Sequence, residues 1–250
     1  MKITNRIYLI LLATILFLSL IIYLIKNPIL GQLDKNKPIL SINKERLYSD
    51  VKKLTLIRPY RNFRNISSIE NSADYILNEF KKLGFGTEIQ EFWVGKNKYK
   101  NVICSIGPRD AERIIIGAHY DVYGNQPGAD DNASGIAGVL ELARLFKQRN
   151  PELKHRIDFI AYTLEESPFF KTEFMGSAIH AKSLFEARVK VKVMICLEMI
   201  GFYSDKSYSQ HFPNLLLSYL YPSKGNFILV VGKLWQRKLV RQIKRGSSPF

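Results

Sequence analysis

Cysteine is almost absent: the 250 residues contain two, Cys104 and Cys196. Both sit in apolar, strand-like runs, so they read as buried thiols, and a disulfide framework is not indicated. Neither has a second cysteine or a histidine at ligand spacing, which speaks against a thiolate metal site. Histidine is nearly as scarce, at four. Acidic residues are also few, 22 against 37 lysines and arginines, for a formal charge of +15. The basic residues are scattered, and neither zinc-finger spacing nor an RNA-binding aromatic signature is found, so no nucleic-acid partner is expected. A basic, soluble surface beside a membrane accounts for the charge. Internal repeats and low-complexity segments are missing. Long apolar runs are missing too, with one exception at the N-terminus.

Residues 7–25 carry no charge and are flanked by Lys2, Arg6 and Lys26. Such a run is long enough to cross a hydrocarbon core. It exceeds the apolar core of a signal peptide, and no small-residue cleavage site follows it. Residues 1–27 are therefore expected to be a membrane anchor or an uncleaved signal. The basic residues on its two flanks nearly balance. A short N-terminal tail inside and a large domain outside is the usual outcome for such an anchor. A single-pass protein with its domain on the extracytoplasmic side is expected. Residues 28–42 read as a linker, and 43–250 as the folded domain.

Hydrophobic residues make up 46% of the chain and aromatic residues 12%, enough for a sizeable core. Residues 43–56 carry a loose helical pattern, ended by Arg58-Pro59. In 67–83, Ser67 and Glu70 suggest a capping box, and Ile69, Ala73, Ile76, Leu77 and Phe80 share one face. Strand patterns cover 87–93, 98–106, 113–118, 156–163, 189–197 and 226–231. Helical patterns begin at Gly135, with Ile136, Val139, Leu140 and Ala143 as a stripe, and recur at 173–185 and 234–243. This alternation predicts an α/β fold: a mostly parallel or mixed central sheet flanked by helices on both faces.

The densest chemistry lies in GAHYDVYGNQPGADDNASG, residues 117–135, at a strand-to-helix junction. Open α/β sheets place ligand crevices at such junctions. Three strand-like runs end in histidine or acidic groups: His119 and Asp121, then Glu165 and Glu166, then Glu198. If these strands are parallel neighbours, the groups gather along one sheet edge. Crowded carboxylates repel, so a divalent cation among them is the simplest resolution. A histidine in the set favours zinc or a similar transition metal. Residues i and i+2 of an extended chain share a face, so Asp121 can accept the second N–H of His119. Asp131, in a glycine-flanked turn, is placed to bridge two ions. Glu165 and Glu166 point to opposite sides, so one can hold metal while the other serves as general base. Singly, each has a plainer reading. Asp130, Asp131 and Asn132 fit a turn or helix cap, the glutamates a solvated loop, and His119 a core position. Together they are not so easily explained.

Five segments, GAHYD at 117–121, PGADDNASG at 127–135, LEES at 164–167, FMGS at 174–177 and CLEMIG at 196–201, resemble the zinc aminopeptidases of metallopeptidase family twenty-eight. That group includes bacterial leucyl aminopeptidase. The resemblance covers roughly residues 67–245 and implies a zinc-exopeptidase-like fold for 43–250. It implies that His119 and Glu198 hold one zinc, Asp131 bridges two, and Glu166 holds the second. Glu165 would be general base and acid, and Asp121 would orient His119. The implied activity is hydrolysis of N-terminal residues from peptide substrates through a zinc-activated water. Two departures stand out. The family often has aspartate where this chain has Glu198, although a glutamate keeps the carboxylate. The family's second zinc also takes a late histidine, and the chain ends at Phe250 before its expected place, as if C-terminally incomplete. Of the remaining histidines, His155 starts its strand and His180 lies mid-helix, which leaves His211 as the one substitute. The alternative reading is a catalytically impaired relative that binds peptide or a partner without hydrolysis. A third class, an acyltransferase of the glutaminyl-cyclase type, shares the fold, but it should dispense with the His119 site.

Overall fold

The computed structural model describes residues 3–26, 41–212 and 214–246. Most of the linker expected at 28–42 lies outside the described residues. The first element is a helix, α1 (Ile3–Lys26). Its stretch Asn5–Tyr23 has a mean hydropathy of 2.3, and none of it is buried. The chain forms two compact units. One is Ser41–Phe202; the other comprises Met1–Leu40 and Tyr203–Phe250.

In Ser41–Phe202 the elements run α2 (Lys44–Thr55), α3 (Ile66–Lys81), β1 (Gly86–Val94), β2 (Asn97–Ile106), β3 (Arg113–His119), α4 (Gly135–Arg149), β4 (Arg156–Tyr162), α5 (Gly176–Glu186) and β5 (Val191–Cys196). The five strands form one mixed sheet in the order β1-β2-β4-β3-β5. β1 pairs antiparallel with β2, and β2 with β4. β3 runs parallel to both β4 and β5. Parallel pairing sets His119 opposite Tyr162 and Gly117 opposite Cys196. The C-terminal ends of β4, β3 and β5 therefore lie side by side.

The side-chain alternation of strands divides the core into two layers. Val102, Cys104, Ile116, Ala118, Phe159 and Ala161 face α3 and α4, which contribute Ile69, Ala73, Ile76, Phe80, Ile136, Val139, Leu140 and Ala143. On the other face, Ile103, Ile115, Ile160 and Tyr162 pack with Leu184 of α5 and with Val189. Helices thus flank both faces. The second layer is thin, and edge strand β5 leaves Val191, Met194 and Cys196 exposed. Cys104 is the buried thiol that the sequence predicts; Cys196 is not.

Two helix starts differ from expectation. α3 begins at Ile66 with Asn65 before it, so Ser67 lies inside the first turn and makes no capping box. The Asn65 amide instead donates to the carbonyl of Tyr60 at 2.6 Å, and this tertiary bond fixes the entry. α5 begins at Gly176, not at 173, because turns such as Thr172 N–H to Phe169 O (2.9 Å) occupy the preceding stretch.

In the second unit, Ser204 N–H donates to Gly225 O (2.9 Å) and Gln210 N–H to Ser223 O (3.0 Å). Between these lies a short helix, α6 (Leu215–Leu220). The strand expected at 226–231 is not formed: Ile228 and Leu229 are exposed, and no ladder partner lies beside them among the described residues. The basic helix is present as a 3₁₀ turn, Leu234–Gln236, leading into α7 (Arg237–Gly246).

Candidate metal centre

The site is built from the end of β3 outward. Gly117 is required there because a Cβ would lie 2.5 Å from the ring of Tyr162 on β4. The ladder runs one bond beyond the strand, with Tyr120 N–H donating to Tyr162 O at 2.9 Å. This holds His119 rigidly at the sheet edge. The ring Nδ1 lies 3.1 Å from the backbone carbonyl of Asp121 and 3.5 Å from its Oδ1. Both are acceptors, so Nδ1 carries the hydrogen, and Nε2 faces the crevice. Nε2 lies 3.2 Å from Asp131 Oδ1 and 3.3 Å from Glu198 Oε1.

Asp131 sits in a single wide turn, Ala129–Ser134, entered through Gly128 at φ +57°. This turn and the segment after β5 are tied together by neighbouring side chains. Asn132 donates to Leu197 O (2.9 Å) and to Glu198 Oε2 (3.0 Å), and its Oδ1 accepts from Gly135 N (3.0 Å) and Met199 N (3.3 Å). Asp130 Oδ1 accepts from Gly201 N at 2.8 Å. Asn132 thus caps the start of α4 and aims Glu198.

The strand-end glutamates of β4 are placed by two different clamps. The buried Asp121 carboxylate accepts the backbone N–H groups of Glu165 (3.2 Å) and Glu166 (3.1 Å). Glu165 in turn accepts from Ser177 N–H and Ser177 Oγ, both at 2.7 Å, at the first turn of α5. Glu166 lies near enough to Asp131 for the two carboxyl groups to feel each other's charge.

The electrostatics follow from the crowding. Burial alone would lower the pKa of His119, but hydrogen bonds to Asp121, Asp131 and Glu198 outweigh it and hold the imidazole well above its ordinary range. The close contact with the His119 ring in turn keeps Asp131 low. Burial pushes Glu165 up, against the two bonds from Ser177. Burial, and then the charge of Asp131, push Glu166 up. The imidazolium proton neutralises part of a cluster that a cation would neutralise better.

His119, Asp131 and Glu198 each offer a ligand atom, all within 4.8 Å of one another. Asp131 Oδ1 is buried and receives no aligned hydrogen bond. An orphaned carboxylate oxygen inside a cluster of one imidazole and two carboxylates fits a divalent cation of the zinc type. Glu166 lies outside this trio. The other histidines are engaged elsewhere or lie apart. His155 Nε2 is 2.8 Å from Lys192 Nζ, before β4, and His180 Nδ1 is 3.1 Å from Tyr162 Oη. His211 is exposed and belongs to the other compact unit.

Residues 101–223 match the family model of peptidase family M28. This stretch of the chain is similar to peptidase family M28. The chain is 45% identical over 208 residues to the protein YfbL of Escherichia coli K12, a match covering 80% of this chain and 63% of that one. A probable leucine aminopeptidase of Trichophyton verrucosum is 30% identical over 182 residues, covering 67% of this chain and 46% of its own length. The crystal structure of LapB from Legionella pneumophila is 28% identical with a TM-score of 0.55, covering 67% of this chain and 46% of that chain. The chain spans less than two thirds of the length of each of these proteins. Sequence reasoning missed three of its supporting residues. Asn132 reads as a turn or helix-cap residue, and Ser177 as part of the helical pattern at 173–185. Arg61, described below, reads as a surface cation.

Proposed function

We propose that this chain is a zinc-dependent peptidase and, within that class, an aminopeptidase that removes N-terminal residues from peptides. The observation that carries the reading is the convergence of His119, Asp131 and Glu198, with ligand atoms within 4.8 Å of one another, about the buried Oδ1 of Asp131. The name of the fungal relative supports the narrower class. His119, Asp131 and Glu198 would hold one ion, and Asp131 with Glu166 would be the residues available to a second. Asp121 fixes the ring of His119. A zinc ion held there would supply Lewis acidity. Glu165 takes the proton of the attacking water and passes it to the leaving amine. Its bonds from Ser177 fix the carboxylate, and its burial raises its pKa towards that of a useful base. We further propose that α1 spans a membrane once, with Ser41–Phe202 on the extracytoplasmic side.

A second reading, peptide binding without hydrolysis, is favoured by one observation. Within Ser41–Phe202, the histidines other than His119 are paired with Lys192 and Tyr162, which leaves the Glu166 side without an imidazole. Kinetics on zinc-supplemented protein separate the two. Hydrolysis predicts release of free amino acid from an aminoacyl nitroanilide or a short peptide. Glu165→Gln is predicted to lower kcat by about 10²–10⁴-fold while the protein keeps its zinc. Wild type that binds zinc and peptide but releases nothing at high enzyme concentration would leave only the second reading.

A further inference from the structure

Arg61 is the largest of the fully buried side chains, 1% exposed, and lies in the segment between α2 and α3. Its guanidinium donates to four backbone carbonyls: Nε to Tyr120 (2.7 Å), Nη1 to Leu54 (3.1 Å) and Pro127 (2.5 Å), and Nη2 to Gly128 (2.6 Å). Among the described residues it has no ion-pair partner within 4 Å. A buried cation without a counter-ion is expensive, so its placement needs a reason. Burial pulls its pKa down to about 10, and the charges that oppose that pull most are Asp121 and Asp131.

The geometry gives the reason. Tyr120 lies between His119 and Asp121, while Pro127 and Gly128 lead directly into the turn that carries Asp131. Arg61 therefore clamps both ends of the loop 120–128. Its own backbone joins in, since Val122 N–H donates to Arg61 O at 3.2 Å. Asn62 adds a bond from Nδ2 to Gly124 O at 2.7 Å. At Gly128 the fit is tight: a Cβ would strike Val122 and the Asp131 carbonyl and lie 3.0 Å from Arg61 Nη2. A planar fork with five donors can serve four carbonyls in fixed directions; a lysine cannot.

We infer that Arg61 is a positioning residue of the metal centre, holding the His119 strand end and the Asp131 turn at ligand spacing before a cation arrives. This inference rests on the zinc reading above. Residues that orient metal ligands from behind typically change metal affinity by 10–100-fold when replaced.

The test is zinc affinity by chelator competition on the full chain, with the absorption spectrum of the cobalt-substituted protein as a second readout. The variants are Arg61→Gln and Arg61→Lys. The control is Arg144→Gln, whose guanidinium pairs with Asp50 and Glu79 in the α2–α3–α4 packing. Arg61→Gln should weaken zinc binding about tenfold or more and shift the cobalt bands. Arg61→Lys should do so to a smaller degree, and it carries the test if the glutamine variant does not fold. Arg144→Gln should lower Tm and leave zinc affinity unchanged. Arg61 variants that melt earlier but bind zinc like wild type would overturn the inference and leave Arg61 a packing residue. Wild type that binds no zinc would overturn the zinc reading and this inference with it.

Discussion

Asp121 shows how one residue can organise a site from behind the groups that would hold a cation. Its backbone carbonyl faces the Nδ1 of His119, while its carboxylate oxygens take the N–H groups of Glu165 and Glu166. The sequence spacing suggested the contact with His119 but could not show that the carboxylate also gathers the end of a neighbouring strand. Ser177 and Asn132 escaped notice for the same reason: their bonds to Glu165 and Glu198 span 12 and 66 positions. His180 offers a separate test at this scale. It is 3% exposed beside Tyr162, and burial lowers its pKa from 6.5 to about 4. Because the folded value lies below the unfolded one, the unfolded chain takes up the proton first as pH falls. Stability is therefore lost between about pH 6.5 and pH 4. Metal-free wild type should lose about 2 kcal/mol more than His180→Asn between pH 7 and pH 5, measured by urea unfolding. Parallel pH curves for the two proteins would show that His180 is not buried in its neutral form.

Elements were legible in proportion to how locally they are determined. α3 and α4 carry apolar stripes at helical spacing, and the same residues, Ile69 to Phe80 and Ile136 to Ala143, face the sheet. The middles of β2, β3 and β4, residues 102–104, 114–118 and 159–161, are apolar because helices cover both faces of the sheet there. The run 226–231 has the right composition but no neighbouring strand, and composition alone cannot supply one. Cys196 was misjudged as buried because an apolar run does not reveal that its strand is at an edge. α1 carries its own prediction. An apolar stretch of this length and hydropathy, exposed throughout among the described residues, should hold the chain in the membrane pellet through an alkaline carbonate wash. Removal of residues 1–27 should release the protein to the supernatant; full-length chain found in the carbonate supernatant would argue against a span.

At the scale of the molecule, the site is a consequence of topology. Three parallel strands end side by side, so residues distant in sequence, His119, Glu166 and Glu198, reach the same crevice. That much could be inferred from acidic groups following apolar runs. The way the loops are held could not, because an arginine such as Arg61 looks like surface until its carbonyl partners are known. The chemistry of the site turns on the cation. Metal analysis of purified, dialysed protein should find at least one zinc per chain in wild type and little or none in His119→Ala or Asp131→Ala. Wild type that retains no zinc after loading, or a His119→Ala protein that retains as much as wild type, would contradict the zinc reading.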